Sequence, residues 1–129
     1  NPEIYFELKK YTNKSIKFNF TPHLTPMFRG ILTTIYVDIK KNINQDKVLK
    51  TLKTFYNNKT FVTVMNKNKY LSTNDVINTN FCKISVCKTK YSNKLILLSV
   101  IDNLIKGGSG QAIQNMNIKF NFNQWKGLI

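Results

Sequence analysis

The sequence predicts an α+β domain in which helices cover one face of a mainly antiparallel, mixed sheet. Segments with alternating or β-branched residues are interspersed with segments whose apolar residues recur at helical spacing. Two consecutive strand-like segments, 81–90 and 94–102, are separated by only a few residues, a spacing that fits a hairpin and favours antiparallel pairing. With 129 residues, 42% of them hydrophobic, the chain is large enough for one modest core. We therefore expect a single domain over residues 1–129.

Three segments are predicted to be helical: residues 2–11, residues 44–56 and the segment that follows Gly110. Pro2 suits a first helical position, and Asn44 or Asp46 lies where a helix needs an N-cap. The second helix has an apolar stripe that should pack on the sheet, made of Val48, Leu49, Leu52 and Phe55. The third shows a helical pattern of Ala112, Ile113 and Met116.

Strands are predicted over 15–21, 31–40, 60–65, 81–90 and 94–102. Residues 66–80 are predicted to form a polar connection. An antiparallel sheet covered on one side leaves its other face in need of a partner, so we expect that face to join two copies of the chain. Phe18, Phe20 and Ile35 are candidates for this face.

The strong positive charge taken alone would suggest an anionic partner. Twenty basic residues against six acidic ones give a formal net charge of +14. The lysines are spread along the whole chain, Arg29 is the only arginine, and the sequence contains no recognised nucleic-acid-binding motif. We expect neither nucleic-acid nor membrane binding, and we expect a cytoplasmic protein, since the first residues carry charges rather than the apolar run of a leader.

The two cysteines are predicted to be unpaired. Cys82 and Cys87 lie five residues apart in one predicted strand, so they should point to opposite faces of the sheet. Their spacing matches no zinc or redox motif, and we expect no metal site.

Two segments closely resemble a known family. These are FTPHLTPMFRGILTTIYV at 20–37 and SVIDNLIKGGSGQAIQNMN at 99–117, with PEI, NFCKI and GLI in the same order around them. They resemble signature segments of the N-acetyl-gamma-glutamyl-phosphate reductases, and the resemblance covers nearly the whole chain. It implies a fold like the C-terminal domain of glyceraldehyde-phosphate dehydrogenase, which supplies substrate contacts and the oligomer interface.

The resemblance also implies a chemistry. In this family a cysteine thiolate displaces phosphate from N-acetyl-glutamyl phosphate, and the thioester is reduced by hydride from NADPH bound to a Rossmann domain. The family's cysteine, histidine and glycine fingerprint belong to sequence upstream of residue 1. We therefore expect no catalytic residue in this chain, no turnover by the chain alone, and a homodimer or homotetramer in the complete enzyme.

The same resemblance implies cofactor contacts at the late glycine-rich segment. Asn103 is expected to hydrogen-bond the nicotinamide carboxamide, and the alternative is that it caps the following helix. Lys106, Gly107 and Gly108 are expected near a phosphate or ribose of NADP. The alternative is that the glycines, together with Gly110, only allow a tight turn and close helix packing.

Substrate contacts are expected from Arg29, His23 and Glu3. Arg29 has a planar fork suited to a carboxylate or phosphate, and the alternative is a structural loop arginine. His23 is expected to line the substrate site or order its loop rather than act as the base. Glu3 could contact an upstream histidine, although a carboxylate in a first helical turn is favourable in any case.

Three other functions remain open from the sequence. A lysine-pathway relative acting on an aminoadipyl phosphate would carry the same motifs. A basic nucleic-acid-binding module follows from charge alone, and would show salt-resistant retention on heparin. A purely structural subunit is the third.

Overall fold

The computed structural model describes residues 2–91 and 93–128. Its regular elements are α1 (Pro2–Lys9), β1 (Ile31–Asp38), α2 (Gln45–Tyr56), β2 (Val62–Val64), β3 (Cys82–Lys88), β4 (Lys94–Ile101) and α3 (Gly110–Lys119). A 3₁₀ turn at Thr73–Asp75 and a π-helical turn at Ile105–Ser109 complete the chain. The strand order is β1-β4-β3-β2. Neighbours pair antiparallel except β2, which runs parallel to β3, so the α+β class with a mixed sheet is confirmed.

Both faces of the central strand β3 are covered. Ser85, Val86 and Cys87 are consecutive and all buried, although their side chains alternate between faces. On one face Cys87 packs with β4 and with the 66–80 connection, in a cluster of Leu71, Val76, Cys87, Leu98 and Val100. α2 packs against β2 and β3, so the sheet is covered partly by this helix and partly by the 66–80 connection. Cys82 and Cys87 are free, as predicted.

α2 is capped by Asn44, one of the two predicted candidates, whose side chain accepts a hydrogen bond from the Lys47 N–H. Its predicted stripe is partly wrong, because Phe55 is 63% exposed. The first helical residue, Gln45, is buried instead and donates a hydrogen bond to the Val86 carbonyl, which fixes the start of the helix to β3.

The predicted strand at 15–21 is wrong, because these residues form no regular element. Alternation makes a strand only where a neighbour completes the hydrogen-bond ladder, and β1 pairs with β4 alone. Phe18 and Phe20 are exposed in this segment. Ile35 lies on β1 and is also exposed.

α3 is present but inverts the expected pattern. Its buried positions are Gly110, Gln114 and Asn117, whereas Ile113 and Met116 are exposed. Trp125 is half exposed, and the last residues are held instead by the Asn117 side chain, which donates to the carbonyls of Gln124 and Lys126. In the described part of the chain, the helices are all too short or too polar to cross a membrane.

Candidate functional site at one end of the sheet

The strand register brings two predicted site segments together. Ile31 at the start of β1 is opposite Ile101 at the end of β4, so Arg29 and Gly30 lie beside the residues that follow β4. The Gly30 N–H donates a 2.7 Å hydrogen bond to Oδ1 of Asn103. Gly30 has φ +110°, and a Cβ there would lie 2.6 Å from Thr73. Glycine is therefore required where the loop enters β1.

A buried carboxylate organises this end of the sheet. Asp102 is fully buried, and its Oδ1 accepts hydrogen bonds from the N–H groups of Leu104 at 2.9 Å and Ile105 at 2.8 Å. Its Oδ2 accepts from the Asn78 N–H at 2.8 Å and lies 2.8 Å from Nε of Arg29. The contact with Arg29 is an ion pair, because the Nε–H is not aimed closely enough at the carboxylate for a hydrogen bond. One side chain thus joins two loops, β4 and the turn before α3.

The Asp102 carboxyl remains ionised despite its burial. Burial by itself would raise its pKa, because the charged form loses water. The N–H donors of Ile105 and Asn78 oppose this most strongly. The Arg29 guanidinium and the N–H of Leu104 add to them, so the pKa of Asp102 lies below its ordinary value of 3.8. The four contacts together therefore outweigh the effect of burial on this carboxyl group.

The Arg29 side chain keeps its outer nitrogens available. Its side chain is 18% exposed, and Nε is the nitrogen that lies 2.8 Å from Asp102. Neither Nη atom hydrogen-bonds to a residue in 2–91 or 93–128, and neither is sealed from solvent. Nε anchors the guanidinium, and both Nη groups can then donate together to a carboxylate or phosphate.

Asn103 has one half of its amide in use. Oδ1 accepts from Gly30, while Nδ2 has no hydrogen-bond partner among the described residues and is not sealed from solvent. The side chain is therefore fixed by one atom and can donate with the other. The N–H groups of Leu104 and Ile105, at the start of the following turn, donate to Asp102 rather than to Asn103.

Lys106 faces the protein rather than solvent. Its Nζ donates to Oε1 of Gln114 at 2.8 Å and lies 5.7 Å from the centre of the Phe61 ring. Burial lowers the pKa of Lys106, and Cys82 opposes that shift. The Asn80 side chain donates to the same Gln114 oxygen. These contacts are structural, and the cofactor role predicted for Lys106 gains no support from them.

The glycines after β4 differ in what they require. A Cβ at Gly107 or Gly108 would approach backbone or side-chain atoms no closer than 3.5 Å, an ordinary contact. A Cβ at Gly110 would lie 2.5 Å from Cγ2 of Ile105 and 2.6 Å from Oδ1 of Asn80. Close packing, one of the two alternatives, therefore explains Gly110. Gly107 and Gly108 are exposed in the turn Ile105–Ser109, which is kinked at Gly108, where φ is −147° and ψ is −109°.

His23 and Glu3 are not brought to this site. His23 lies in an exposed loop and makes no hydrogen bond to a residue that the structure describes. Glu3 is exposed in the first turn of α1, where the helix dipole favours a carboxylate.

Sequence reasoning missed Asp102, Asn80 and Gln114. Asp102 could have been found, since it is one of only six acidic residues and follows directly after an apolar strand. Asn80 and Gln114 give no comparable signal, because the chain is rich in exposed amides and only their burial distinguishes them.

Fold and site together define a class of protein: an α+β sheet domain in which a guanidinium ion-paired with Asp102 and an amide bonded to Gly30 belong to neighbouring segments at one end of the sheet. The model of the semialdehyde dehydrogenase dimerisation-domain family matches residues 1–103. The chain belongs to that family.

Several relatives cover nearly all of the chain. A protein from Thermoanaerobacter sp. (strain X514) is 45% identical over 98% of it, and one from Vesicomyosocius okutanii is 48% identical over 98%. A protein from Methanococcus vannielii is 41% identical over 99%. All three are named N-acetyl-gamma-glutamyl-phosphate reductase. The chain spans only 36–37% of their lengths.

Proposed function

We propose that the chain is the dimerisation domain of an NADPH-dependent N-acetyl-gamma-glutamyl-phosphate reductase. The enzyme would convert N-acetyl-glutamyl 5-phosphate to the 5-semialdehyde and phosphate in arginine biosynthesis, in the cytoplasm. The relatives' names favour this substrate over the aminoadipyl phosphate of the lysine pathway.

The observation that carries the proposal is that Arg29 and Asn103, in two segments joined by the Gly30–Asn103 hydrogen bond, both keep free donor atoms. Arg29 has two free Nη groups and would hold an anionic group of the substrate, the carboxylate or the phosphate. Asn103 has a free Nδ2 and would donate to the carboxamide of the nicotinamide, which supplies hydride when bound. The Gly30–Asn103 hydrogen bond joins the loop that carries Arg29 to the segment after β4, which supports a meeting of substrate and cofactor at this end of the sheet.

The other predicted contacts have weaker support. Gly107 and Gly108 expose backbone near Asn103, which suits a ribose or phosphate of NADP. Lys106 is partly buried and its Nζ is bonded to Gln114, so a contact with NADP would require that amine to leave its partner. His23 and Glu3 would reach the substrate only if their exposed segment packs against the site in the assembled enzyme.

Homo-oligomer formation is part of the proposal. β1 is an edge strand with apolar residues exposed on both faces: Ile31, Leu32, Ile35 and Tyr36. Burying such a surface against a second copy would remove a patch that water disfavours. The description of the matching family as a dimerisation domain supports this assignment.

The test uses the polypeptide encoded by the whole reading frame that contains this chain. It should oxidise NADPH only when N-acetyl-glutamyl phosphate is supplied, and should release one phosphate for each NADPH. Aminoadipyl phosphate serves as the competing substrate, and retention on heparin as salt is raised tests the nucleic-acid alternative. Preference for the aminoadipyl compound, or no turnover of either, would refute the proposal.

A further inference from the structure

We infer that Asp102 is the positioning residue of this site, and that it acts by aiming the Arg29 guanidinium at the substrate anion. The inference rests on the proposed function and extends it to a residue that touches neither substrate nor cofactor. It follows from four contacts of one buried carboxylate and from the atoms that those contacts leave free.

The first step concerns geometry. Asp102 Oδ2 lies 2.8 Å from Nε of Arg29, at the inner edge of the guanidinium. Since the guanidinium is rigid and planar, a carboxylate held beside Nε restricts where the whole group lies, and the edge formed by the two Nη groups is the one opposite Nε. Those groups have no protein partner in the described residues. The carboxylate thus orients the guanidinium without occupying the edge that would bind a substrate anion.

The second step concerns rigidity. The Asp102 carboxylate is itself held in place, because its oxygens also accept hydrogen bonds from three backbone N–H groups, those of Asn78, Leu104 and Ile105. The neighbouring residue Asn103 is tied to Gly30, next to Arg29. The arginine is therefore held through its side chain and through its backbone neighbour. A side chain that is already held in place loses less conformational entropy when it binds a ligand through two hydrogen bonds.

The third step concerns charge. The five other acidic residues, Glu3, Glu7, Asp38, Asp46 and Asp75, are all exposed. Asp102 is fully buried, and burial of a carboxylate is costly unless its partners require the charge. A neutral amide at this position could retain the N–H contacts on one oxygen but could not attract Arg29. The role assigned to Asp102 uses its charge.

Asp102→Asn in the complete polypeptide tests this role. The KM for N-acetyl-glutamyl phosphate should rise about 10-fold or more, the scale expected when a buried partner is lost, while the KM for NADPH changes less than about 2-fold. Asp75→Asn is the matched control. It also removes a carboxylate that caps a short helix, through Ser72 N–H, but it contacts no arginine.

A purely structural role is separated by a double-mutant cycle. In an Arg29→Ala background, Asp102→Asn should change kcat/KM for the acyl phosphate less than about 2-fold, because the residue through which it acts is gone. Multiplicative losses, or equal losses in the acyl-phosphate and NADPH terms, would overturn the inference.

A second readout does not depend on turnover. An arginine-selective dicarbonyl reagent should modify Arg29, and inorganic phosphate should protect it in the unaltered polypeptide but not in Asp102→Asn, as measured by peptide mapping. Equal protection in both would overturn the inference. Absence of turnover in the unaltered polypeptide would refute the proposed function and this inference with it. Normal turnover of the unaltered polypeptide, with independent effects of Asp102→Asn and Arg29→Ala, would refute this inference alone.

Discussion

Gly110 should be the glycine after β4 that least tolerates a side chain. In Gly110→Ala the new Cβ would lie 2.5 Å from Cγ2 of Ile105, 2.6 Å from Oδ1 of Asn80 and 2.9 Å from the Ile105 carbonyl oxygen. Asn80 cannot withdraw freely, since it is buried and bonded to Gln114. Overpacking of this kind costs about 1–3 kcal/mol. Displacing Asn80 would add about 1 kcal/mol, and the better helix propensity of alanine would return about as much. We expect a net loss of about 1–3 kcal/mol.

Urea unfolding of the chain, followed by circular dichroism, measures this loss. Gly107→Ala is the matched control, because its Cβ would meet atoms no closer than 3.5 Å, and its stability should change by no more than about 0.5 kcal/mol. Ile105→Leu removes the branched methyl group and should recover part of the loss when combined with Gly110→Ala. If Gly110→Ala is as stable as Gly107→Ala, the close packing described here is wrong.

Three further outcomes follow from the site and the sheet. In the complete enzyme, Asn103→Ala should lower kcat/KM for NADPH by the equivalent of about 1–3 kcal/mol, whereas Arg29→Lys should lower kcat/KM for the acyl phosphate only. Steady-state kinetics with each substrate varied would contradict these roles if the two effects were exchanged. The pKa of Asp102 is lowered, so the stabilisation by its charged form is present above about pH 4 and is lost as the pH falls through the folded pKa. In urea unfolding, the loss of stability caused by Asp102→Asn should therefore be largest near pH 7 and smaller in acid. A loss that does not vary with pH would count against an ionised carboxylate. Ile35→Lys should reduce the oligomer's mass in sedimentation, while Phe55→Lys, on α2, should not; an unchanged mass for both would place the interface elsewhere.

The sequence predicted the elements whose pattern is enforced by local partners. β3 and β4 pair antiparallel with a short connection, and α2 begins at its asparagine cap. The segment 15–21 has the same alternation as a strand but finds no neighbouring ladder in the sheet. Alternation of polar and apolar residues is a sign of a half-buried strand, but a strand also needs a neighbouring strand, which residues far away in the sequence supply. The prediction failed at 15–21 because no such neighbour is present among the residues that the structure describes.

Only part of the candidate site could be predicted, because the contacts within it join residues that are far apart in the sequence. Motif resemblance pointed to Arg29 and Asn103, and the structure joins their segments through the hydrogen bond from Gly30 to Asn103. Asp102 lies within the same motif, but the resemblance implied no role for it, and a carboxylate that faces inward leaves no periodic pattern. Charge composition pointed away from it: an excess of 14 positive charges suggests anionic partners outside the protein. The acidic residues were more informative than the lysines. Five of the six are on the surface, and the sixth is buried at the only arginine, where its charge fixes the direction in which that arginine can bind.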